Sequence, residues 1–255
     1  MKKKLTVGVI QARMGSTRLP GKVLAPLGGK PLIWRIYERL LQARRLDRIG
    51  IATTTEPSDD SLAAFAEESK IPCYRGSVDD IIERLAGAAE VFAAEVVVRV
   101  WGDCPMVDPG LVDRVIEKLK EEDLDYASNY LPTERTFPVG MEVEAYRRPT
   151  LLLLKKEAAD PFCREFPIEY LLKNPDKFRR GLISHEADLS RFQLSVDYPQ
   201  DLELARAVYS ELYRPESPFS YRDVLAFLEK RPGLIGKVSG LPRHVDYHQK
   251  KRREP

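Results

Sequence analysis

The chain predicts an α/β fold, a mainly parallel sheet flanked by helices on both faces. Strand-like and helix-like segments alternate through the first half. The strand-like ones are short, β-branched runs such as Val96-Val-Val-Arg-Val100, the pattern of strands covered on both faces. Polar turns containing glycine follow several of these runs, where open α/β sheets bind their ligands.

In chain order, residues 5–10 form the first apolar run, and a long polar turn reaches Lys22. A helix is then expected to open with Pro31 at its first position. Residues 49–52 predict a short strand, and Ser58-Asp-Asp-Ser caps a helix through Leu62, Phe65 and Ala66. Cys73-Tyr-Arg is a brief strand, residues 78–94 carry helical periodicity, and residues 96–100 form the strongest strand signal. The turn Gly102-Asp-Cys-Pro leads into a helix from about Leu111 to Lys120. Residues 131–139 hold two prolines and predict a loop or lid, whereas residues 140–146 alternate like a strand with Glu142 and Glu144 on one face. Helices are expected over residues 150–159 and 164–173, the second interrupted by Pro167. Residues 192–196 predict another strand that ends in Asp197. A helix over residues 199–212 and a final one over residues 221–230 complete the order.

The 255 residues are 43% hydrophobic and 31% charged, enough apolar content for one sizeable core. A single domain is expected over residues 1–255, with a charged tail at 243–255 too short for a nucleic-acid arm. Net charge is +2, so anion binding must come from local clusters. Cys73, Cys104 and Cys163 form no C-x-x-C pair, and no signal-peptide core follows Met1-Lys-Lys-Lys. No stretch approaches a membrane span. Together these predict a reduced, soluble, cytoplasmic protein.

The segment Gln11-Ala-Arg-Met-Gly-Ser-Thr-Arg-Leu-Pro-Gly-Lys22 has the makings of a phosphate cradle. Backbone N–H groups of a turn with Gly15 and Ser16 can face an anion, and Arg13, Arg18 and Lys22 add three cations within ten residues. It is not a P-loop, because five residues separate Gly15 from Gly21 and Val23 replaces the metal-binding hydroxyl. A triphosphate normally brings Mg²⁺, which needs one or two protein carboxylates. Asp103 and Asp197 both follow predicted strands and make the candidate metal pair. Thr53 and Thr54 fall on the same edge. Cys104 reads as a buried thiol, and Trp101 as core or pocket wall.

Gln11 to Leu24, Arg75-Gly-Ser-Val-Asp-Asp80, Arg99-Val-Trp-Gly-Asp-Cys-Pro-Met-Val-Asp-Pro109 and Val196-Asp-Tyr-Pro-Gln-Asp-Leu202 resemble the cytidylyltransferases that make CMP-sugars. The SpsF (spore coat polysaccharide biosynthesis) branch is most similar, with the CMP-Kdo and CMP-acylneuraminate synthetases more distant. The resemblance implies a Rossmann-like, GT-A-like nucleotidyltransferase fold with a smaller dimerisation lobe over about residues 130–190, working as a homodimer. It implies CTP as nucleotide, Mg²⁺ as cofactor and a small-molecule acceptor, a sugar acid or related surface-polysaccharide sugar. Carried over by position, Ala12, Arg13, Gly15, Ser16, Arg18 and Lys22 would contact the phosphates and ribose. Arg75, Gly76 and Ser77 would lie near the cytosine, with Trp101 and Gly102 beside the nucleotide. Asp103 and Asp197 would hold Mg²⁺, while Glu142, Glu144 and Arg164 would line the acceptor pocket. The chain departs from the branch at Trp101, where threonine is usual, at Glu142, where aspartate is usual, and at Phe166, where histidine is usual. All three fall around the acceptor side or the lobe.

Two rivals stand beside this reading. Asp123-Leu-Asp125 matches the Asp-x-Asp metal motif of sugar-nucleotide glycosyltransferases, although it lies in the acidic run Glu121-Glu-Asp-Leu-Asp. A non-catalytic nucleotide-binding regulator is the other, and it would have little need of both Asp103 and Asp197. Pyrophosphate release separates all three.

Overall fold

Leu5–Gln11 (β1) is an interior strand of a seven-stranded sheet, and both of its faces are apolar. Val7 and Val9 are fully buried in the core on one face, and Ile10 in the core on the other. The computed structural model describes residues 4–242. The charged tail expected at 243–255 lies outside the described residues.

Beyond β1 come Leu32–Leu40 (α1), Arg48–Thr54 (β2), Asp60–Glu68 (α2), Cys73–Gly76 (β3), Ile81–Val91 (α3), Ala94–Trp101 (β4) and Pro109–Glu121 (α4). The second half adds Tyr126–Ser128 (β5), Glu144–Arg147 (β6), Arg148–Glu157 (α5), Pro161–Glu165 (α6), Pro167–Lys173 (α7) and Arg180–Leu182 (β7). Pro199–Leu212 (α8), Tyr221–Glu229 (α9) and Pro232–Val238 (α10) close the chain. The sheet runs β7-β5-β6-β4-β1-β2-β3. Every pairing is parallel except the two made by β6, which is antiparallel to β4 and β5. The mainly parallel sheet expected from the sequence is therefore present, with one reversed strand.

Helices cover both faces. Residues of α1, α4, α8 and α9, among them Ile36, Val115, Val208 and Val224, share one core, and residues of α3, α5 and α7, among them Leu85, Leu154 and Leu171, share the other. No helix among the described residues is long and apolar enough to cross a membrane.

Several elements differ from expectation. Residues 192–196 do not join the sheet, and Gln193 makes an isolated parallel bridge with Val139. Their backbone bonds instead to Val139, with Leu194 N–H donating to Val139 O at 2.8 Å, while Val196 N–H donates to Asp103 O at 2.8 Å. The strand expected from residue 140 starts at Glu144. Gly140 has φ +94°, and a Cβ there would lie 2.3 Å from Ser195 N, so the chain bends around a crossing backbone before it enters the sheet. Pro31 precedes α1 instead of opening it. Strand β7 and helix α10 are present in addition to the elements expected from the sequence. The loop or lid expected at residues 131–139 contains a short hairpin, Tyr130–Leu131 with Glu134–Arg135. Within the 130–190 segment, β6 and β7 belong to the central sheet and α5 packs along α3, so the segment is continuous with the sheet.

Candidate active site

The carboxyl ends of β1, β2 and β4 converge, as in other open α/β sheets. Ala12 N–H donates to Ala52 O at 3.1 Å and Gly102 N–H to Gln11 O at 2.8 Å. Gly102 is needed for this approach, since a Cβ would lie 2.5 Å from the Cβ of Ala12. The cradle then folds on itself, with Ser16 N–H and Gly21 N–H both donating to Met14 O, at 2.8 and 3.2 Å. Gly21 sits at φ +72°, a conformation that favours glycine.

Asp59, expected to help cap α2, is buried and does something else. Its Oδ1 accepts from Met14 N–H at 2.6 Å, and its Oδ2 accepts from Thr53 Oγ1 at 3.0 Å, Thr54 N–H at 3.1 Å and the Thr54 hydroxyl. The cradle is thereby tied to the end of β2.

Lys22 stands at the centre of the charges. Its Nζ reaches Asp103 Oδ2 at 2.7 Å and Asp197 Oδ1 at 2.9 Å, and Arg18 Nη2 reaches the same Asp197 oxygen at 2.7 Å. Burial works against the Lys22 charge, but the two carboxylates outweigh it and hold the ammonium above the ordinary lysine value. Asp201 sets the turn, its Oδ2 accepting from the N–H groups of Asp197 and Tyr198 at 2.9 and 2.8 Å. No group of three or more potential metal ligands occurs among the described residues. Asp103 and Asp197 nevertheless turn two hard oxygen donors toward one cation, a donor set that suits Mg²⁺ when phosphates and water complete its shell.

A cavity of about 1050 Å³ opens over these groups. Of the residues singled out in the sequence, Ala12, Arg13, Gly15, Ser16, Arg18, Lys22, Trp101, Gly102, Asp103, Glu142, Arg164 and Asp197 all line it. Four do not. Arg75 is engaged at the sheet edge, with Nε donating to Thr54 O at 2.9 Å and Nη1 paired with Asp60 at 2.7 Å. Gly76 is buried, and Ser77 N–H donates to Glu83 Oε2 at 3.0 Å, so the neighbouring Val78, Asp79 and Asp80 form the wall there. Glu144 is fully buried behind the cavity, accepting from Arg99 Nη1 and Tyr126 Oη, each at 2.8 Å. Glu142 pairs with Arg135 and accepts from Gly140 N–H at 2.8 Å. Cys104 is buried between Asp103 and Glu142, and burial, with these two charges, pushes its thiol well above the usual range. Asp123 pairs with Arg147 and Arg179 at 2.9 and 2.8 Å and does not line the cavity, so the Asp-x-Asp reading finds no site.

Arg84, Arg99, Tyr130 and Arg135 also line the cavity, and the sequence reading gave them no role. Arg99 stacks on Trp101 at 4.3 Å, and Trp101 meets Tyr130 edge to face at 5.7 Å. Arg84 carried one usable signal, since it is a cation on the buried face of α3 beside Leu85 and Ala88.

Against known proteins, the family model for cytidylyltransferases matches residues 7–215. This chain belongs to the cytidylyltransferase family. Its enzymes are nucleotidyltransferases, as the resemblance implied. The cytidylyltransferase is 29% identical to the spore coat polysaccharide biosynthesis protein SpsF of Bacillus subtilis, over 88% of this chain and 94% of that one. It is 31% identical to a 3-deoxy-manno-octulosonate cytidylyltransferase of Polynucleobacter asymbioticus, over 90% of this chain and 95% of its relative. A solved cytidylyltransferase structure from Leptospira borgpetersenii superposes with a TM-score of 0.85 at 30% identity, over 94% of this chain and all of that one.

Proposed function

We propose that this cytidylyltransferase moves CMP from CTP to a hydroxyl of a sugar acid and releases pyrophosphate, with Mg²⁺ held by Asp103 and Asp197. The observation that carries this is the contact of Lys22 Nζ with both carboxylates, at 2.7 and 2.9 Å, beside the cradle. It is a charge array matched to a metal–triphosphate complex. In the transfer, the acceptor hydroxyl oxygen bonds to the α-phosphorus and gives up its proton to solvent, while the bond from that phosphorus to the bridging oxygen breaks and pyrophosphate leaves with that oxygen. When bound, Mg²⁺ supplies Lewis-acid polarisation of the phosphoryl oxygens.

The side chains do the rest. Arg13, Arg18 and Lys22 neutralise charge on the departing pyrophosphate. Lys22, held protonated by its two carboxylates, acts as a cation and not as a base. Trp101, Tyr130 and the Arg135–Glu142 pair form the wall against which an acceptor is oriented. The likeness to relatives that include a 3-deoxy-manno-octulosonate cytidylyltransferase supports a sugar acid. The homodimer is part of the same proposal and rests on the family resemblance alone. Sedimentation velocity tests that point.

The test of the transfer starts with thermal unfolding in CTP, UTP, ATP and GTP, with and without Mg²⁺. Saturation at a hundred times Kd adds about 2.7 kcal/mol, or roughly 5–10 °C for a chain of this size. A rise specific to CTP and enlarged by Mg²⁺, followed by pyrophosphate release with a sugar acid, is the expected result. The absence of any rise with a triphosphate overturns the reading.

A further inference from the structure

One carboxylate stands behind the cavity wall without lining the cavity. Glu144, on β6, is fully buried and lies opposite Arg99 of β4 in the antiparallel pairing. Its Oε2 accepts from Arg99 Nη1 at 2.8 Å. Its Oε1 accepts from Tyr126 Oη at 2.8 Å and from Tyr130 Oη at 3.3 Å. Arg99 and Tyr130 both line the cavity, and both touch Trp101. The Arg99 guanidinium lies 4.3 Å from the centre of the Trp101 ring, and Tyr130 meets that side chain edge to face at 5.7 Å. Trp101 follows Arg99 by two residues on β4, which puts both side chains on one face of the sheet. Arg135 in turn covers the Tyr130 ring at 4.9 Å.

A buried ion pair adds little stability over apolar side chains of the same volume, so packing alone does not call for this one. Its geometry gives it another use. Arg and Trp side chains have several rotamers, and a wall free to change rotamer would leave the shape of the cavity undefined. Glu144 removes that freedom in two steps. The ion pair fixes the guanidinium, which stacks on Trp101. The Tyr130 hydroxyl, bound to the same carboxylate, fixes the ring that meets Trp101 edge to face. Burial and the Glu144 charge hold the Tyr126 and Tyr130 hydroxyls well above the usual tyrosine range, so both stay protonated and donate.

Resting on the transfer reading above, we propose that Glu144 is a positioning residue, which acts through Arg99 and Tyr130 to fix Trp101 as a rigid wall on the acceptor side of the cavity. Loss of the Glu144 charge loosens Trp101 and weakens the acceptor, whereas CTP keeps the cradle, Arg18 and Lys22.

The chain has two tryptophans, so a Trp34→Phe background isolates the fluorescence of Trp101. Glu144→Gln keeps the shape and an oxygen for the tyrosine hydroxyls but removes the charge that pairs with Arg99. Tyr130→Phe cuts the second tether without unpairing Arg99, and it carries the test if Glu144→Gln does not fold. Acrylamide quenching and anisotropy of Trp101 are measured first, then pyrophosphate release from CTP with 3-deoxy-manno-octulosonate as acceptor. In Glu144→Gln, quenching is expected to rise and anisotropy to fall. The KM for the acid should rise about 10-fold, as for a weakened hydrogen bond to a charged group, with kcat and the KM for CTP unchanged. Tyr130→Phe should shift each reading the same way by less. Unchanged Trp101 quenching in the folded variants overturns the proposal. So does a rise in the KM for CTP instead of the acid, or a fall in kcat alone, which would mark a merely structural loss. A wild type that releases no pyrophosphate sinks the transfer reading, and the quenching still decides whether Glu144 fixes Trp101.

Discussion

Asp59 Oδ1 accepts a hydrogen bond from Met14 N–H at 2.6 Å, joining residues 45 apart in sequence and fixing the cradle to the end of β2. The same carboxylate takes the Thr53 hydroxyl and the Thr54 N–H. Asp59→Ala would leave these buried donors unmet, at a cost of about 2–3 kcal/mol. Melting should fall by roughly 5–10 °C, and the KM for CTP should rise more than kcat falls, because the cradle loosens while the charged groups remain. A variant as stable as wild type with unchanged KM would deny Asp59 this role.

Lys22 and Asp197 have side chains that are 9% and 6% exposed. Lys22→Met removes the ammonium that the two carboxylates share, so we expect a stability loss of about 3 kcal/mol, the low end for a broken buried pair. Turnover should drop at least ~100-fold through the lost electrostatic stabilisation. Urea titration and a pyrophosphate assay check the two effects separately.

Asp103 is more accessible, its side chain 26% exposed, so Asp103→Ala should fold. Its turnover should fall at least ~100-fold, and Mg²⁺ should no longer enlarge the thermal shift given by CTP. Near-normal turnover would remove Asp103 from the metal pair.

All three thiols are held above their ordinary value of 9.0. Burial comes first in each case, and the hydrogen bond to Asp160 helps to push Cys163 to about 11. The folded state thus favours the protonated thiol. That contribution is fully present below pH 9 and is lost as pH rises from 9.0 toward about 11. Native protein at pH 8 should react slowly with a thiol reagent and release the full signal of three cysteines in denaturant. Chemical denaturation across pH 8–11 measures the loss. Fast labelling of native protein at pH 8 would contradict this burial.

Gly140→Ala meets Ser195 N at 2.3 Å and sits at φ +94°. The strained φ alone costs about 1–2 kcal/mol, and the backbone clash displaces the segment that carries Asp197. Both Tm and activity should fall. Wild-type values for both would mean that the crossing relaxes without moving Asp197.

Local signals carried much of the fold. Residues 5–10 and 96–100 announced β1 and β4 through apolar, β-branched runs, because a strand covered on both faces has no polar side to show. The proline at the start of α8 marked its first turn, and the cradle was plain from glycine and cation spacing. Residues 192–196 carried the same strand-like signal, yet their partner is Val139, and pairing is a property of two segments. The three-residue β7 is recruited by β5 and had too little pattern of its own.

The candidate site divides in the same way. The sequence by itself determined that three cations occupy one turn and that Asp103 and Asp197 follow strand-like runs, since both facts are local. Tertiary structure alone decided that Lys22 bridges those two aspartates, that Asp59 holds the cradle, and that Arg75 and Glu144 turn away from the cavity. It also set Glu144 of β6 behind Arg99 of β4 and Tyr130 of the hairpin. The reason is physical. The charge of a side chain is written in the sequence, but its burial and its counter-ion are set by which distant strand packs beside it.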